Sequence, residues 1–382
     1  MIQEFLSDLS FTDRIISGVL AFLMLSVLIF KFVLLYRFRC NKEYIGKVKQ
    51  PVSVVITAQN DGVFLREYLE RFLQQDYENF EVIVVDDCSY DDTQTILAEY
   101  KQKYSHLRVS TIKPDDKFTH TRKFALNIGI KAAKHDIVIF SEANCYPVSD
   151  KWVDNIQSAF KPGVDVVLAY SNYVRKKSFL GGFLIYDRFV RIARSFSFAY
   201  RNKPYRGDGA NIAYRKEAYL NNHCFAGNSQ IEAGYDSLPV LRILNRKNVR
   251  VVINPNSHVL IDYLDIRKEW KNYKSMYYLS RFFYKKRRKI SIDFLPSISF
   301  IVLLAIFISI VLSEQKLFIL GICLFYQFLI VVYKRILVNF LNEKKIFVYS
   351  VYADLVIGVL SFVQFVKARY TWFYGTTFKF IR

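Results

Sequence analysis

Glycine and proline are scarce, 14 and 8 among 382 residues, which excludes collagen-like, disordered and Gly/Pro-linker classes. Cysteine is sparse too. Cys40, Cys88, Cys145, Cys224 and Cys323 are odd in number, widely scattered and form no C-x-x-C, so neither a disulfide scaffold nor a zinc site is expected. The five histidines show no H-x-x-x-H spacing, which leaves a zincin without support. Acidic residues are outnumbered, 34 against 54 Lys and Arg, a net charge of +20. On a soluble protein that surplus suggests nucleic acid, and beside apolar spans it suggests anionic lipid. No nucleic-acid-binding motif accompanies the charge, so no nucleic-acid partner is expected.

Apolar residues, by contrast, make up 52% of the chain and aromatic residues 17%. From Ile15 to Tyr36 the run is broken only by Lys31, long enough for a helix to cross a hydrocarbon core of roughly 30 Å. It reads as an anchor. A cleaved signal peptide is the alternative, but the run is long, starts late and lacks a small-x-small cleavage site. Further runs span Phe294 to Ser313, Leu317 to Tyr333 and Ile346 to Val366, the last broken by Asp354. The expected organisation is therefore an anchor and basic linker (1–50), a middle domain (51–280) and a C-terminal membrane region (281–382).

Arg37, Arg39, Lys42, Lys47 and Lys49 follow the first run, and Arg281, Lys285, Lys286, Arg287, Arg288 and Lys289 precede the second. The positive-inside rule then puts the middle domain in the cytoplasm, on a multi-pass protein of the inner membrane. Four full crossings would leave the basic tail, Lys367 to Arg382, outside. Either the rule is overridden there, or the fourth run is re-entrant or interfacial.

The middle domain alternates in period. Val52 to Thr57, Phe80 to Val85, Leu107 to Thr111 and Ile137 to Phe140 read as buried strands; Val63 to Gln75, Asp91 to Lys103 and Thr121 to Lys134 read as helices. Such βαβ alternation predicts an α/β fold with a mostly parallel sheet. Ligands in these sheets sit beyond the carboxyl ends of the strands. Three polar clusters fall there: Ala58 to Gly62, Asp86 to Asp92, and Ser141 to Cys145. Short polar side chains at such an edge suit a base, a ribose or a hard divalent cation. Asp91 is expected to be a helix N-cap and Asp87 a ligand contact.

The runs PVSVVITAQND (51–61), FEVIVVDDCSYDDT (80–93) and HTRKFALNIGIKAAKHDIVIFSEANCYP (120–147) resemble the opening half of a family 2 glycosyltransferase with a Rossmann-like GT-A fold, in its membrane-anchored bacterial branch. The likeness runs roughly from Pro51 to Tyr278, and the flanking spans resemble that branch as well. Pro204 to Arg215 resembles the acceptor-side segment, and Ala233 to Leu238 the Gly-acid-Asp segment. The resemblance implies that Thr57, Ala58 and Asn60 border the nucleotide, that Asp87 bonds the uracil of a UDP-sugar, and that Lys123 and Asn127 face the donor. It implies further that Glu142 and Asn144 occupy the Asp-x-Asp position, which binds ribose and a Mg²⁺ or Mn²⁺ ion. Asp208 lies in the acceptor-side segment, and Asp236 matches the catalytic base. A sugar hydroxyl has a pKa far above 7, so a carboxylate aimed at it must take its proton during attack. The metal would stabilise the departing diphosphate. For Asp236 the other reading is a surface acid on a helix leading Leu238, Leu241 and Leu244.

Two departures stand out. The Asp-x-Asp position reads Glu142-Ala143-Asn144, with one negative charge fewer, so metal binding should weaken. His258 is a further metal ligand or a structural residue. No Gln-x-x-Arg-Trp element occurs near Trp270, which either stacks on an acceptor sugar or anchors at the interface. Transfer of a single sugar to a lipid-linked or envelope glycan acceptor is therefore expected, rather than polymer synthesis. A degenerate transferase fold acting as a scaffold is the alternative. Phe179 to Arg201, which mixes aromatic and basic residues, reads as an interfacial helix or as a core helix with a solvated basic side.

Overall fold

The computed structural model describes residues 10–40, 48–115, 120–176, 178–245 and 248–350, together with 353 and 370. The chain divides into two compact units, Met1–Arg39 with Tyr284–Leu360, and Cys40–Phe283 with Ser361–Arg382.

The elements in chain order are α1 (Phe11–Tyr36), β1 (Val52–Ala58), α2 (Gly62–Leu73), β2 (Phe80–Asp87), α3 (Thr93–Lys103), β3 (Leu107–Ile112), α4 (Arg122–Ala132), β4 (Ile137–Glu142), β5 (Cys145–Pro147) and α5 (Trp152–Gln157). There follow β6 (Val166–Ala169), β7 (Ser171–Tyr173), α6 (Phe179–Ala199), β8 (Ile212–Arg215), α7 (Lys216–Asn221), α8 (Leu238–Ile243), β9 (Val249–Val252), β10 (Val259–Ile261), α9 (Ile266–Ser280), α10 (Lys286–Leu312) and α11 (Lys316–Phe340).

The larger unit is built on a seven-stranded sheet in the order β3-β2-β1-β4-β8-β6-β9. Every residue of β1 is buried, as expected of a strand covered on both faces. Helix α4 lies so close to it that a Cβ on Gly129 would come within 2.3 Å of Val55 Cγ1. Strands β3, β2, β1 and β4 are parallel, and their register sets Ala58 beside Asp86 and Thr57 beside Glu142. The three expected polar clusters thus share one edge. Strand β8 runs antiparallel to β4 and pairs Ile212 with Phe140, which returns the chain before it, residues 206–211, to that same edge. A smaller sheet, β5-β10-β7, sets Ile261 opposite Cys145 and so brings Asp262 beside Asn144.

In the smaller unit, α1 and α11 are each long and apolar enough to cross a membrane, and cover the first and third expected runs. Helix α10 covers the second, of which the stretch Ile301–Leu312 is apolar but shorter. Phe22, Phe307, Leu317 and Phe325 are exposed on these helices. Polar groups are matched inside the unit: Ser313 Oγ donates to Asp13 Oδ1 at 2.5 Å, and the Lys31 ammonium lies 5.3 Å from the Tyr333 ring centroid. The fourth expected run falls largely outside the described residues.

Candidate active site

The turns after β1 and β2 are laced together by backbone donors. Asn60 and Cys88 both take φ of 56°, in the left-handed region, which Asn tolerates better than most residues. The Asn60 N–H donates to Ser89 Oγ at 2.9 Å, and the Tyr90 N–H returns a bond to Asn60 Oδ1 at 2.8 Å. The Gly62 N–H donates to Asp91 Oδ2, which ties the start of α2 to the turn after β2. The expectation for Asp91 is corrected by one position. Asp92 occupies the N-cap of α3 without a side-chain capping bond and instead accepts Arg66 Nη2 at 3.2 Å, while Asp91 bridges the Gly62 and Thr93 N–H groups. Asp87, buried at the end of β2, lies 2.8 Å through Oδ1 from His120 Nδ1.

At the end of β4, Glu142 accepts the Tyr235 hydroxyl at Oε1 (2.7 Å), and Arg122 Nη1 lies 3.2 Å from its Oε2. A Cβ on Gly209 would fall 2.2 Å from Tyr235 Cε2 and 3.0 Å from Glu142 Oε1. Residues 142, 209 and 235 therefore close on one another only with glycine in the middle. The Asn144 side-chain amide donates to the Asp262 carbonyl at 2.9 Å, and its Oδ1 faces the Cys145 thiol at 3.5 Å. Asp262 in turn pairs with Lys176 at 2.6 Å and accepts the Tyr68 hydroxyl at 2.7 Å.

Beside Tyr235, Asp236 is buried rather than on the surface. Burial raises its carboxyl above the ordinary carboxylate range, and the nearby Arg206 opposes that rise. Arg206 Nε and Nη2 both end on Asp236 Oδ2, at 2.9 and 2.7 Å. Asp208 is buried as well and accepts Arg188 Nη2 at both oxygens, 2.6 Å each. A third carboxylate, Asp187, pairs with Arg191 at 3.2 Å and Lys274 at 2.8 Å and accepts the Trp270 indole N–H at 3.3 Å. Burial brings the Lys274 ammonium down to about 7. The faces of Tyr273 and Tyr277 cover the guanidiniums, with Arg191 4.0 Å from the Tyr277 centroid. Helix α6 is thus a core helix, and its Asp187, Arg188 and Arg191 turn inward to partners instead of being solvated.

Thr57 and Ala58 are buried at the end of β1, with the Thr57 carbonyl accepting the Ala143 N–H. Lys123 is fully buried on α4; its ammonium donates to the Asn228 carbonyl at 2.9 Å, and burial brings it down to about 8. Asn127 lies half-buried one turn on. His258 is structural: buried, bonded through Nε2 to the Ile253 carbonyl at 3.2 Å, and lowered by burial to about 4.

Comparison with known proteins bears on this edge. The family model for glycosyl transferase family 2 matches residues 53–230, from β1 through β8 to the turn beyond α7. This segment is a family 2 glycosyltransferase domain. The glycosyltransferase domain is similar to the UDP-Glc:alpha-D-GlcNAc-diphosphoundecaprenol beta-1,3-glucosyltransferase WfaP of Escherichia coli, 32% identical over 129 residues, which is 34% of this chain and 48% of that protein. It is also similar to glycosyltransferase GlyG of Streptococcus pneumoniae serotype 4, 30% identical over 124 residues, 32% of this chain and 40% of GlyG. The chain thus spans less than half the length of these relatives. Among solved structures, the mannosyltransferase PcManGT of Pyrobaculum calidifontis, in complex with GDP-Man and Mn²⁺, superposes with a TM-score of 0.55 at 15% identity, over 89% of this chain and 99% of that one. At that identity the likeness establishes the GT-A fold.

Around this edge, sequence reasoning missed Arg122, Arg188, Arg206, His120 and Tyr235. The one available signal was the spacing of Asp187 and Arg191, an acid and a base on one helix face at i, i+4.

Proposed function

We propose that the chain is a membrane-anchored, inverting glycosyltransferase that moves one sugar from a UDP-linked donor to a lipid-linked or envelope glycan acceptor at the inner face of the bacterial cytoplasmic membrane. The observation that carries this reading is the meeting of three strand-end loops with the Tyr235-Asp236 pair, through the Tyr235 hydroxyl on Glu142. Asp87 would read the uracil, with Thr57, Ala58 and Asn60 forming the wall beside it and Lys123 and Asn127 supporting that wall from α4. Asp236 would accept the proton of the attacking hydroxyl, and Asp208 and Trp270 would border the acceptor. One carboxylate suffices for inversion, because the oxocarbenium-like centre takes its nucleophile from the face opposite the leaving group.

The oxygen donors of Glu142 and Asn144 fit a hard cation such as Mg²⁺ or Mn²⁺, which takes one or two carboxylates plus substrate phosphates. Such an ion supplies charge stabilisation to a departing diphosphate. A second reading is favoured by one observation: both Glu142 oxygens face Tyr235 and Arg122, the situation of a scaffold that has given up metal. A screen of nucleotide-sugars for UDP release, with and without Mn²⁺, tests the enzyme. Asp236→Asn should abolish turnover while retaining UDP binding by calorimetry; unchanged turnover removes Asp236 as base, and absence of any UDP or metal binding in the wild type favours the scaffold.

A further inference from the structure

Three donors of different chemistry meet at the end of β2, apart from Glu142 and Asn144. Asp87 closes the strand, Cys88 follows it with φ of 56°, and His120 arrives from the segment before α4. His120 Nδ1 lies 2.8 Å from Asp87 Oδ1, and Cys88 Sγ lies 3.4 Å from Nδ1 and 3.9 Å from Nε2. The three donor atoms are all within 4.8 Å of one another, and among the described residues no other trio of such side chains converges in this way. A cysteine in the left-handed region carries a steric cost that glycine would avoid.

The spacing suits one ion. With metal–sulfur near 2.3 Å and metal–nitrogen or metal–oxygen about 2.0 to 2.1 Å, a tetrahedral centre sets sulfur about 3.5 Å from nitrogen and nitrogen about 3.4 Å from oxygen. The 3.4 Å separation from Nδ1 is near that value, but the 3.9 Å to Nε2 sets the sulfur beside the ring, so the imidazole must turn to aim Nδ1 at a shared ion. The 2.8 Å nitrogen–oxygen separation is that of a hydrogen bond, which a metal would replace and open by about half an ångström. Thiolate and imidazole together select Zn²⁺ over Mg²⁺ or Mn²⁺, which prefer all-oxygen sets.

We propose that Asp87, Cys88 and His120 form a Zn²⁺ site, and that its occupation keeps a nucleotide base from Asp87; the second clause rests on the function proposed above. On binding, the Cys88 thiol releases its proton and gives up its bond to the Ile112 carbonyl. The imidazole proton moves from Nδ1 to Nε2, which gives up the Asp115 N–H. A fourth position stays open to water.

The test uses the metal-free full chain titrated with Co²⁺. The expected result is a thiolate-to-cobalt charge-transfer band with tetrahedral d–d absorption, displaced by one equivalent of Zn²⁺. The band should vanish in Cys88→Gly, which suits the positive φ and keeps the fold, weaken in His120→Gln, and persist in Glu142→Gln. No band in the folded wild type, or a band that survives Cys88→Gly, overturns the site. By calorimetry, Zn²⁺ should weaken UDP binding at least tenfold in the wild type and leave Cys88→Gly unaffected. A cobalt band with unchanged UDP affinity overturns the competition alone. Failure of the metal-free chain to bind UDP at all tells against the proposed function and leaves the cobalt result standing.

Discussion

The Arg206–Asp236 pair gives a quantitative test of the proposed base. Both guanidinium bonds end on one carboxylate oxygen, at 2.9 and 2.7 Å, and the carboxylate is buried. Burial disfavours its charge, and Arg206 is the main opposing influence. Arg206→Gln keeps a polar side chain of similar reach and removes that charge. Breaking a buried pair by deleting one partner costs about 3 to 5 kcal/mol when the remaining charge persists. Each 1.36 kcal/mol is tenfold in an equilibrium, so the ionised fraction should fall by about a hundredfold or more, until protonation relieves the cost.

The sign follows from the role. A general base acts as the carboxylate, so turnover is lost as pH falls through its pKa. The variant raises that pKa further, and the acid limb of the pH–rate profile should move to higher pH. Folding stability should respond in the opposite sense: the carboxyl's contribution is fully present below its unfolded pKa and lost as pH rises through the raised folded value. Arg206→Lys, which keeps a charge, should move the limb less. Turnover by UDP release across pH 5 to 9, beside thermal melts at the same pH values, reads both effects. A folded Arg206→Gln enzyme whose acid limb has not moved would refute the pairing as the control on Asp236.

Other consequences are simpler to measure. Tyr235→Phe removes one bond to a half-buried carboxylate and should cost about 1.5 to 3 kcal/mol at that contact, seen as a higher Mn²⁺ requirement if Glu142 holds the ion; an unchanged metal titration would separate Tyr235 from the site. Asn144→Asp restores the missing negative charge and should lower the Mn²⁺ concentration needed for half-maximal turnover, provided the amide's bond to the Asp262 carbonyl can be given up. Gly129→Ala forces a methyl against Val55 and should destabilise the fold by about 1 to 3 kcal/mol, by overpacking, in denaturant melts; a neutral or stabilising effect would show that α4 is free to retreat.

Much of the sheet was legible because its first strands are buried on both faces, and such strands read as continuous apolar runs: Val52 to Thr57 and Phe80 to Val85 fall inside β1 and β2. The strand-end clusters were legible for the same reason, since a parallel register leaves them no other place to go. What could not be read is pairing across long separations. Tyr235 reaches Glu142 across 93 positions and Asp262 reaches Asn144 across 118, and no local period carries that information. The basic face of α6 was misjudged because solvation is the usual fate of arginine; here Asp187, Asp208 and the Tyr273 and Tyr277 rings supply the partners that make burial tolerable. Asp91 was misplaced by one residue: it still accepts the Thr93 N–H, but its second oxygen holds Gly62, a tertiary partner no local pattern announces.

The reversed strand β8 divides the work of the sheet along the chain. The parallel strands β1, β2 and β4 end at one edge, and the residues entering β8 return to that edge beside β4. Under the function proposed above, a graft exchanging 52–144 between relatives would carry donor preference with it and leave the acceptor half untouched, so the two specificities could drift independently while sharing a single hydrogen-bonded seam between β4 and β8.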